Sequence, residues 1–270
     1  MPQLTEHFYG RTMGSAWRSI LVHLTRPAAS TVSDSVYSEY IGAQLYVTEP
    51  SFNLILSREY KPNYIDAYKF AIRTMEQMSL GFETAMTRLK EDSSTTRASM
   101  FGPGEYPNLT SVQFFIRDGG LYEIVTTRAN DAWFNLPRDL QAFGFWGQLF
   151  AGALGVPFAG YIHNFGSLYL DRGYVKEALN VVRLDHVDAV ASPLPPHCDK
   201  ALREIFDGRA SEAIERPGEP YQTSPLGMQP IVNAILGWRE YAPAILNDLA
   251  AKGYGVGWPQ VKASSVAPSQ

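Results

Sequence analysis

Val112-Gln-Phe-Phe-Ile-Arg-Asp-Gly-Gly-Leu-Tyr-Glu-Ile-Val-Thr-Thr-Arg128, followed by Ala129-Asn-Asp-Ala-Trp-Phe-Asn-Leu-Pro137, is the stretch whose reading decides the fold. Two apolar runs, rich in β-branched and aromatic residues, flank Asp118-Gly119-Gly120. Glycine supplies the positive φ that a tight hairpin turn needs, so the pattern predicts two antiparallel strands. The second strand ends in Arg128, Asn130 and Asp131, just before an aromatic-rich helix. Charged and amide side chains gathered at a strand end, against a helix start, make a candidate small-molecule site.

The rest of the chain sets bounds on that site. Its 270 residues, 45% hydrophobic and 19% charged, suit a soluble globular protein with a substantial core. A net charge of −4 with scattered Lys and Arg argues against nucleic acid or an anionic membrane as partner. No apolar run approaches spanning length, and Met1–His7 lacks a signal-peptide pattern, so a cytoplasmic location is expected. The single cysteine, Cys198, excludes an internal disulfide and a multi-cysteine metal site, and no metal is expected.

Taken in order, residues 13–24 carry apolar positions at helical spacing, stopped by Pro27. His23 reads as a surface residue. Residues 28–37 read as loop, 42–48 and 53–57 as short strands, and 64–89 as helix broken near Gly81. Methionine-rich positions in that helix read as core filler. Residues 139–154 are apolar on nearly all sides, which predicts a helix buried in a core or interface, with Gly155 as its stop. Strands at 156–164 and 166–170 follow around a glycine bend, then a helix at 172–182. Residues 191–197 read as linker, 200–214 as amphipathic helix, 228–252 as a last helical region, and 263–270 as disordered tail. Residues 1–262 are expected to form a single domain.

Cys198 beside His197 invites a nucleophile reading, since an imidazolium lowers a thiol pKa. Adjacent residues seldom face each other, however, and this pair also suits the start of the next helix. No HExxH, GxSxG, P-loop or GxGxxG is present. Arg97 and Arg128 could clamp a phosphate with fork-like hydrogen bonds, or serve as surface arginines with local carboxylate partners; spacing alone leaves both open.

Together these segments resemble the thymidylate synthase family, which includes the pyrimidine nucleotide hydroxymethylases. The resemblance is carried by Arg97 after a polar loop, Pro107 before the hairpin, Gln113-Phe-Phe-Ile-Arg-Asp-Gly119, Thr127-Arg128-Ala-Asn-Asp131 with Leu136-Pro137, and Gly166-Ser-Leu-Tyr-Leu-Asp171. It implies an α+β fold, a mixed six-stranded-type sheet with helices on one face, and a homodimer packed through the other. It implies a pyrimidine nucleotide cleft in which Arg128 is the own-chain phosphate ligand, Arg97 reaches in from the second subunit, and Gln113 and Asn130 line the nucleotide. Asp131 falls where the family contacts the folate pterin, so 5,10-methylenetetrahydrofolate is the expected cofactor. Asp139 falls where thymidylate synthases carry a uracil-reading asparagine and cytidylate hydroxymethylases an aspartate. A protonated carboxyl can donate to cytosine N3 and accept from its amine.

The sequence also departs from the family. Asn108 stands at the nucleophilic cysteine, and an amide nitrogen is no nucleophile. Leu109 replaces the neighbouring histidine, Thr96 one of the paired arginines, and Ala129 a phosphate-contacting serine. Tyr169 and Asp171 replace the sugar-reading histidine and tyrosine, and Asp66 is a shifted counterpart of the catalytic glutamate. Three readings follow: a folate-dependent one-carbon transferase with a repurposed acceptor or mechanism, a CMP or dCMP 5-hydroxymethylase using Asp139, and a non-catalytic dimeric nucleotide- or folate-binding protein.

Overall fold

The computed structural model describes residues 6–26, 37–50, 53–56, 60, 64–102, 108–184 and 188–191. Pro107, Cys198, the linker and helices expected beyond residue 191, and the tail lie outside the described residues.

The hairpin is central. Strands β6 (Leu109–Arg117) and β7 (Gly120–Asp131) pair antiparallel, with Arg117 opposite Gly120. Asp118 and Gly119, at φ 51° and 75°, form the two-residue turn, whose positive φ values match the twist of the strands. β5 (Ser99–Phe101) adds antiparallel to β6, and β8 (Phe158–Asp171) adds parallel to β7. β3 (Gln44–Val47) runs antiparallel to β8, and β1 (His7–Gly10) lies parallel to β3 at the edge.

β2 (Tyr37–Ile41) also pairs with β8, in the same register as β3. The two lie end to end along β8, joined at Gly42 (φ 70°), so seven strands fill six positions across a mixed sheet. A separate pair, β4 (Asn53–Leu56) with β9 (Asp188–Ala191), is antiparallel. Strand β2 falls next to a Ser- and Thr-rich stretch, and its alternation is too short to stand out in the sequence.

One row of the sheet changes the phase of three strands. In β7, Leu121, Glu123, Val125 and Thr127 point inward, but beyond Arg128 the buried position moves to Asn130. In β8, Tyr161, His163 and Phe165 give way to Leu168 and Leu170 after Gly166. Along β3 and β2, Val47, Leu45 and Ala43 give way to Tyr40 and Ser38 across Gly42. The register continues unbroken through this row, so it is a shared kink. The bend expected to split the 156–170 region therefore lies inside one continuous strand. A Cβ at Gly166 would fall 2.4 Å from the Arg128 carbonyl oxygen, which is why only glycine fits there.

Helices cover one face. α1 (Met13–Leu24) is closed by a Thr12–Ser15 capping box and buries Trp17, Ile20, Leu21 and Leu24. The helical region after residue 64 divides at Met78, into α2 (Tyr64–Gln77) and α3 (Ser79–Glu91), three residues before the expected break. Gly81 lies inside α3, where a Cβ would come 3.0 Å from the Met100 Cβ; the glycine serves close packing on β5. α4 (Asn135–Leu154) begins before residue 139 because Pro137 is tolerated in a first turn, and it ends at Gly155 in the left-handed conformation. It buries fourteen of its residues, including Phe143, Trp146 and Phe150. Phe150 stacks on Phe114 of β6 with centroids 4.2 Å apart, and Phe82 of α3 meets both rings and Trp146. After β8, a short 3-10 turn (Arg172–Tyr174) leads into α5 (Val175–Leu184).

No helix among the described residues packs on the other face of the sheet. Tyr9 and Phe101 are 64% and 85% exposed there, and Tyr9 stacks on Tyr46. Between them runs a polar ladder: Tyr46 donates to Gln44, Gln44 to Asn164, and Asn164 to Thr126.

Candidate functional site

The kink turns Arg128 outward at the end of β7. Its backbone N–H donates to the Asn108 carbonyl at 2.7 Å, and its guanidinium donates to Asn108 Oδ1 at 3.2 Å. The residues expected as anion ligand and at the nucleophile position therefore touch. Asn108 is half-buried and Arg128 exposed.

Asn130, on the opposite side of the strand, faces α4. Its Nδ2 donates to Asp139 Oδ2 at 2.9 Å, while Arg138 donates to Asp139 Oδ1 through Nε at 3.1 Å and Nη2 at 2.9 Å. Both Asp139 oxygens are thus engaged, and Asp139 and Asn130 are each only 1% exposed. Burial pushes the Asp139 carboxyl above its ordinary value, against the opposing pull of Arg138 and Asn130. Arg138 also lies over the Phe70 ring at 4.7 Å. Asn130 Oδ1 is buried with no hydrogen-bond partner among the described residues.

Asp131 performs a structural task. Its Oδ1 accepts from the amides of Trp133 at 2.9 Å and Phe134 at 2.6 Å, fixing the turn that launches α4. Burial nevertheless raises its pKa, with Asp171 adding to the rise. Around it stand aromatic rings: Trp133 against Tyr60 and Tyr174, and Phe134, 51% exposed, against Tyr174. Burial and the Asp131 charge also raise the Tyr60 pKa. Trp17 of α1 ties this group to the turn by donating to the Ala132 carbonyl at 2.7 Å.

The strand ends complete the site. Register places Tyr169 beside Asp131 on one side and Glu39 on the other, and sets Tyr37 opposite Asp171. Tyr37 and Tyr169 meet edge to face at 5.0 Å. Glu39 accepts from the Ser167 hydroxyl, and Asp171 Oδ1 accepts from the Gly173 amide at 2.7 Å.

Of the residues expected from sequence, Asn108, Arg128, Asn130, Asp131, Asp139, Tyr169 and Asp171 cluster at the ends of β7 and β8. Gln113 and Arg97 lie apart, on the β5–β6 side. Gln113 donates to the Thr96 carbonyl at 2.9 Å, and Arg97 is exposed. Asp66 lies in α2, but its side chain is outside what is described. No group of three or more His, Cys, Asp or Glu able to hold a metal ion occurs among the described residues.

A buried polar seam under α4 went unread in the sequence. Tyr161 and His163 Nδ1 lie 2.8 Å apart, and His163 Nε2 and Thr127 Oγ1 lie 3.0 Å apart. A neutral imidazole that accepts from Tyr161 and donates to Thr127 satisfies both contacts. Burial holds the His163 pKa down to about 3. Beside Tyr161, Glu123 is fully buried and its oxygens have no partner among the described residues; burial raises its pKa well above the ordinary value. The signal was available, because Glu123 breaks an otherwise apolar inward series between Leu121 and Val125.

Comparison of the sequence with protein-family models and with curated proteins finds no match. Comparison with solved structures does. Thermostable thymidylate synthase A from Bacillus subtilis superposes with a TM-score of 0.59, covering 71% of this chain and 90% of that one. The fold is thymidylate synthase-like. At 12% identity the likeness extends to architecture, and the chemistry has to be argued from the side chains. No helix among the described residues is long and apolar enough to cross a membrane.

Proposed function

We propose that the protein is a divergent one-carbon transferase of the thymidylate synthase fold, acting on a pyrimidine-type acceptor without a covalent enzyme adduct. The observation that supports it is the meeting of Arg128 and Asn108 at the kink, within reach of Tyr169 and Asp171. On the resemblance these residues fall where the family holds its acceptor, with the Asn108 amide at the position of the attacking residue.

The residues present suit a folate-type cofactor in part. Phe134 and Tyr174 offer an aromatic surface beside Asp131, the acceptor that fixes the α4 turn. Methylenetetrahydrofolate, when bound, would supply one carbon at the methylene level. On this reading Arg128 and Tyr169 orient the acceptor, and Phe134 and Tyr174 stack on the flat ring of the cofactor and exclude water. With Asn108 unable to attack, the acceptor must be nucleophilic by itself at the carbon or nitrogen that receives the group.

The sheet face on which no helix among the described residues packs, with Tyr9, Tyr46 and Phe101 on it, supports a homodimer in which Arg97 of a second copy approaches the acceptor site. A 5-hydroxymethylase that reads cytosine through Asp139 is a weaker reading, because Asn130 and Arg138 already hold both Asp139 oxygens. A nucleotide- or folate-binding protein without turnover is favoured by Asn108 itself.

Incubating the purified protein with labelled methylenetetrahydrofolate and a panel of pyrimidine bases, nucleosides and nucleotides tests the proposal. Label transfer that Arg128→Ala abolishes is the expected result. Folate or pyrimidine binding without any transfer would leave the binding-protein reading in its place.

A further inference from the structure

The buried polar seam under α4 ends next to Arg128, and nothing in the chemistry above uses it. In register, His163 of β8 sits beside Val125 of β7, and Thr127 beside Phe165. The 3.0 Å contact between His163 Nε2 and Thr127 Oγ1 therefore runs diagonally, from β8 to the β7 residue that precedes Arg128. Tyr161, 2.8 Å from His163 Nδ1, extends the seam back along β8. All three side chains are buried. The imidazole between them has little freedom. Phe165 stacks on it at 4.1 Å, Phe143 of α4 meets it edge to face at 5.7 Å, and both ring nitrogens are engaged.

Thr127 stands where the sheet changes phase. Its partner in β6, Leu109, lies at the register shift before Ser111. One residue on, the Arg128 amide donates to the Asn108 carbonyl at 2.7 Å, and the Arg128 carbonyl lies against Gly166. The backbone that aims the guanidinium is thus gripped on both edges, and the seam fixes the residue before it from the inner side. Apolar groups of the same shape can replace a buried hydrogen-bonded set with little change in stability. The distinctive effect of such a set is on placement, because a shift of either strand leaves buried polar groups unpaired.

We propose that Tyr161, His163 and Thr127 are positioning residues for Arg128, holding β7 at the row where the guanidinium is turned toward the acceptor. The use of Arg128 by an acceptor rests on the one-carbon transferase reading above; the positioning rests on the seam.

Amide hydrogen exchange on the full chain tests the positioning without any ligand. Thr127→Val keeps the shape and removes the hydroxyl, Thr127→Ser keeps the hydroxyl, and Tyr161→Phe removes the donor at the far end. The valine and phenylalanine variants are expected to speed exchange of the Arg128 amide about three- to tenfold relative to the other β7 amides, the range for one lost hydrogen bond, with Thr127→Ser near wild type. A merely structural role would speed all β7 amides alike. That result, or an Arg128 amide unmoved in both variants, overturns the proposal. Titration calorimetry with UMP gives a second readout. Arg128→Ala and Thr127→Val should each weaken UMP, and Thr127→Val should add nothing in the Arg128→Ala background; additive losses overturn the positioning. UMP that binds wild type and Arg128→Ala alike, or binds neither, refutes the use of Arg128 by the acceptor, while the exchange result still decides the positioning.

Discussion

Replacing Glu123 by glutamine should change how stability depends on pH, by an amount that follows from its burial. Glu123 is enclosed by α4 and the sheet, near Tyr161 and with the Gly147 backbone of α4 against its carboxyl. None of these is a cation. The folded protein therefore keeps the carboxyl protonated above its ordinary value of 4.5, while the unfolded chain releases the proton. In that window the folded state binds one proton more, so stability falls as pH rises, by about 1.4 kcal/mol per unit, until the folded carboxyl ionises. His163 acts in the opposite direction. Its folded pKa of about 3 lies below its ordinary 6.5, so its contribution is lost as pH falls from 6.5 toward 3. Above pH 4.5 and below 6.5 the two slopes oppose each other in the wild type. Glu123→Gln removes one of them. Urea unfolding of both proteins from pH 4.5 to 7 should show the glutamine variant gaining stability relative to wild type as pH rises, by up to about 1.4 kcal/mol per unit while the folded carboxyl stays protonated. Parallel curves would refute the assignment of a neutral, unpaired carboxyl under α4.

Other substitutions probe the frame around the site. Asp131→Ala removes the acceptor of two amides and should cost about 1–2 kcal/mol in denaturant unfolding, whereas Asp131→Asn should restore most of it; equal losses would deny the turn-fixing role. Gly166→Ala forces a carbon to 2.4 Å from the Arg128 carbonyl oxygen and should cost about 1–3 kcal/mol or more, read as a lowered Tm; a neutral change would mean the kink is slack. Trp17→Phe leaves the Ala132 carbonyl without its donor and should cost about 1–3 kcal/mol, which the same unfolding measurement checks. If the helix-free face is a subunit interface, Tyr9→Glu combined with Phe101→Glu should yield monomers by sedimentation velocity while leaving the far-ultraviolet dichroism unchanged.

Much of this fold was legible in the sequence because its elements obey local rules. The Asp118-Gly119 turn, the Met13–Leu24 helix and the Gly155 stop each depend on a few adjacent residues, and each lies where the pattern put it. What was not legible depends on neighbours across the sheet. The kink at Arg128, Gly42 and Gly166 involves residues more than a hundred positions apart, and no single strand announces it. The company that Arg128 and Asp139 keep was hidden at much shorter separations, because it depends on which way the strand and helix turn each side chain. The family resemblance implies a base-reading carboxyl at Asp139, while in the structure Asn130 and Arg138 hold both of its oxygens. Glu39 and Tyr37 were passed over because their importance comes from lying across from Tyr169 and Asp171.

The unbroken register through the kink divides the labour of a single sheet. On the hairpin side, inward residues are fixed by packing against α4 and outward ones present a broad face. Past the kink the inward positions are reassigned, and the outward ones become Arg128, Tyr169, Glu39 and Asp171. Side chains beyond the row can therefore be exchanged without repacking the centre. A one-residue deletion on β7 before Arg128, by contrast, would turn Arg128 and Asp131 to the wrong side of the sheet at once. Such a fold tolerates replacement of its surface chemistry far better than any change in strand length, which fits a chain that keeps a thymidylate synthase-like architecture at 12% identity.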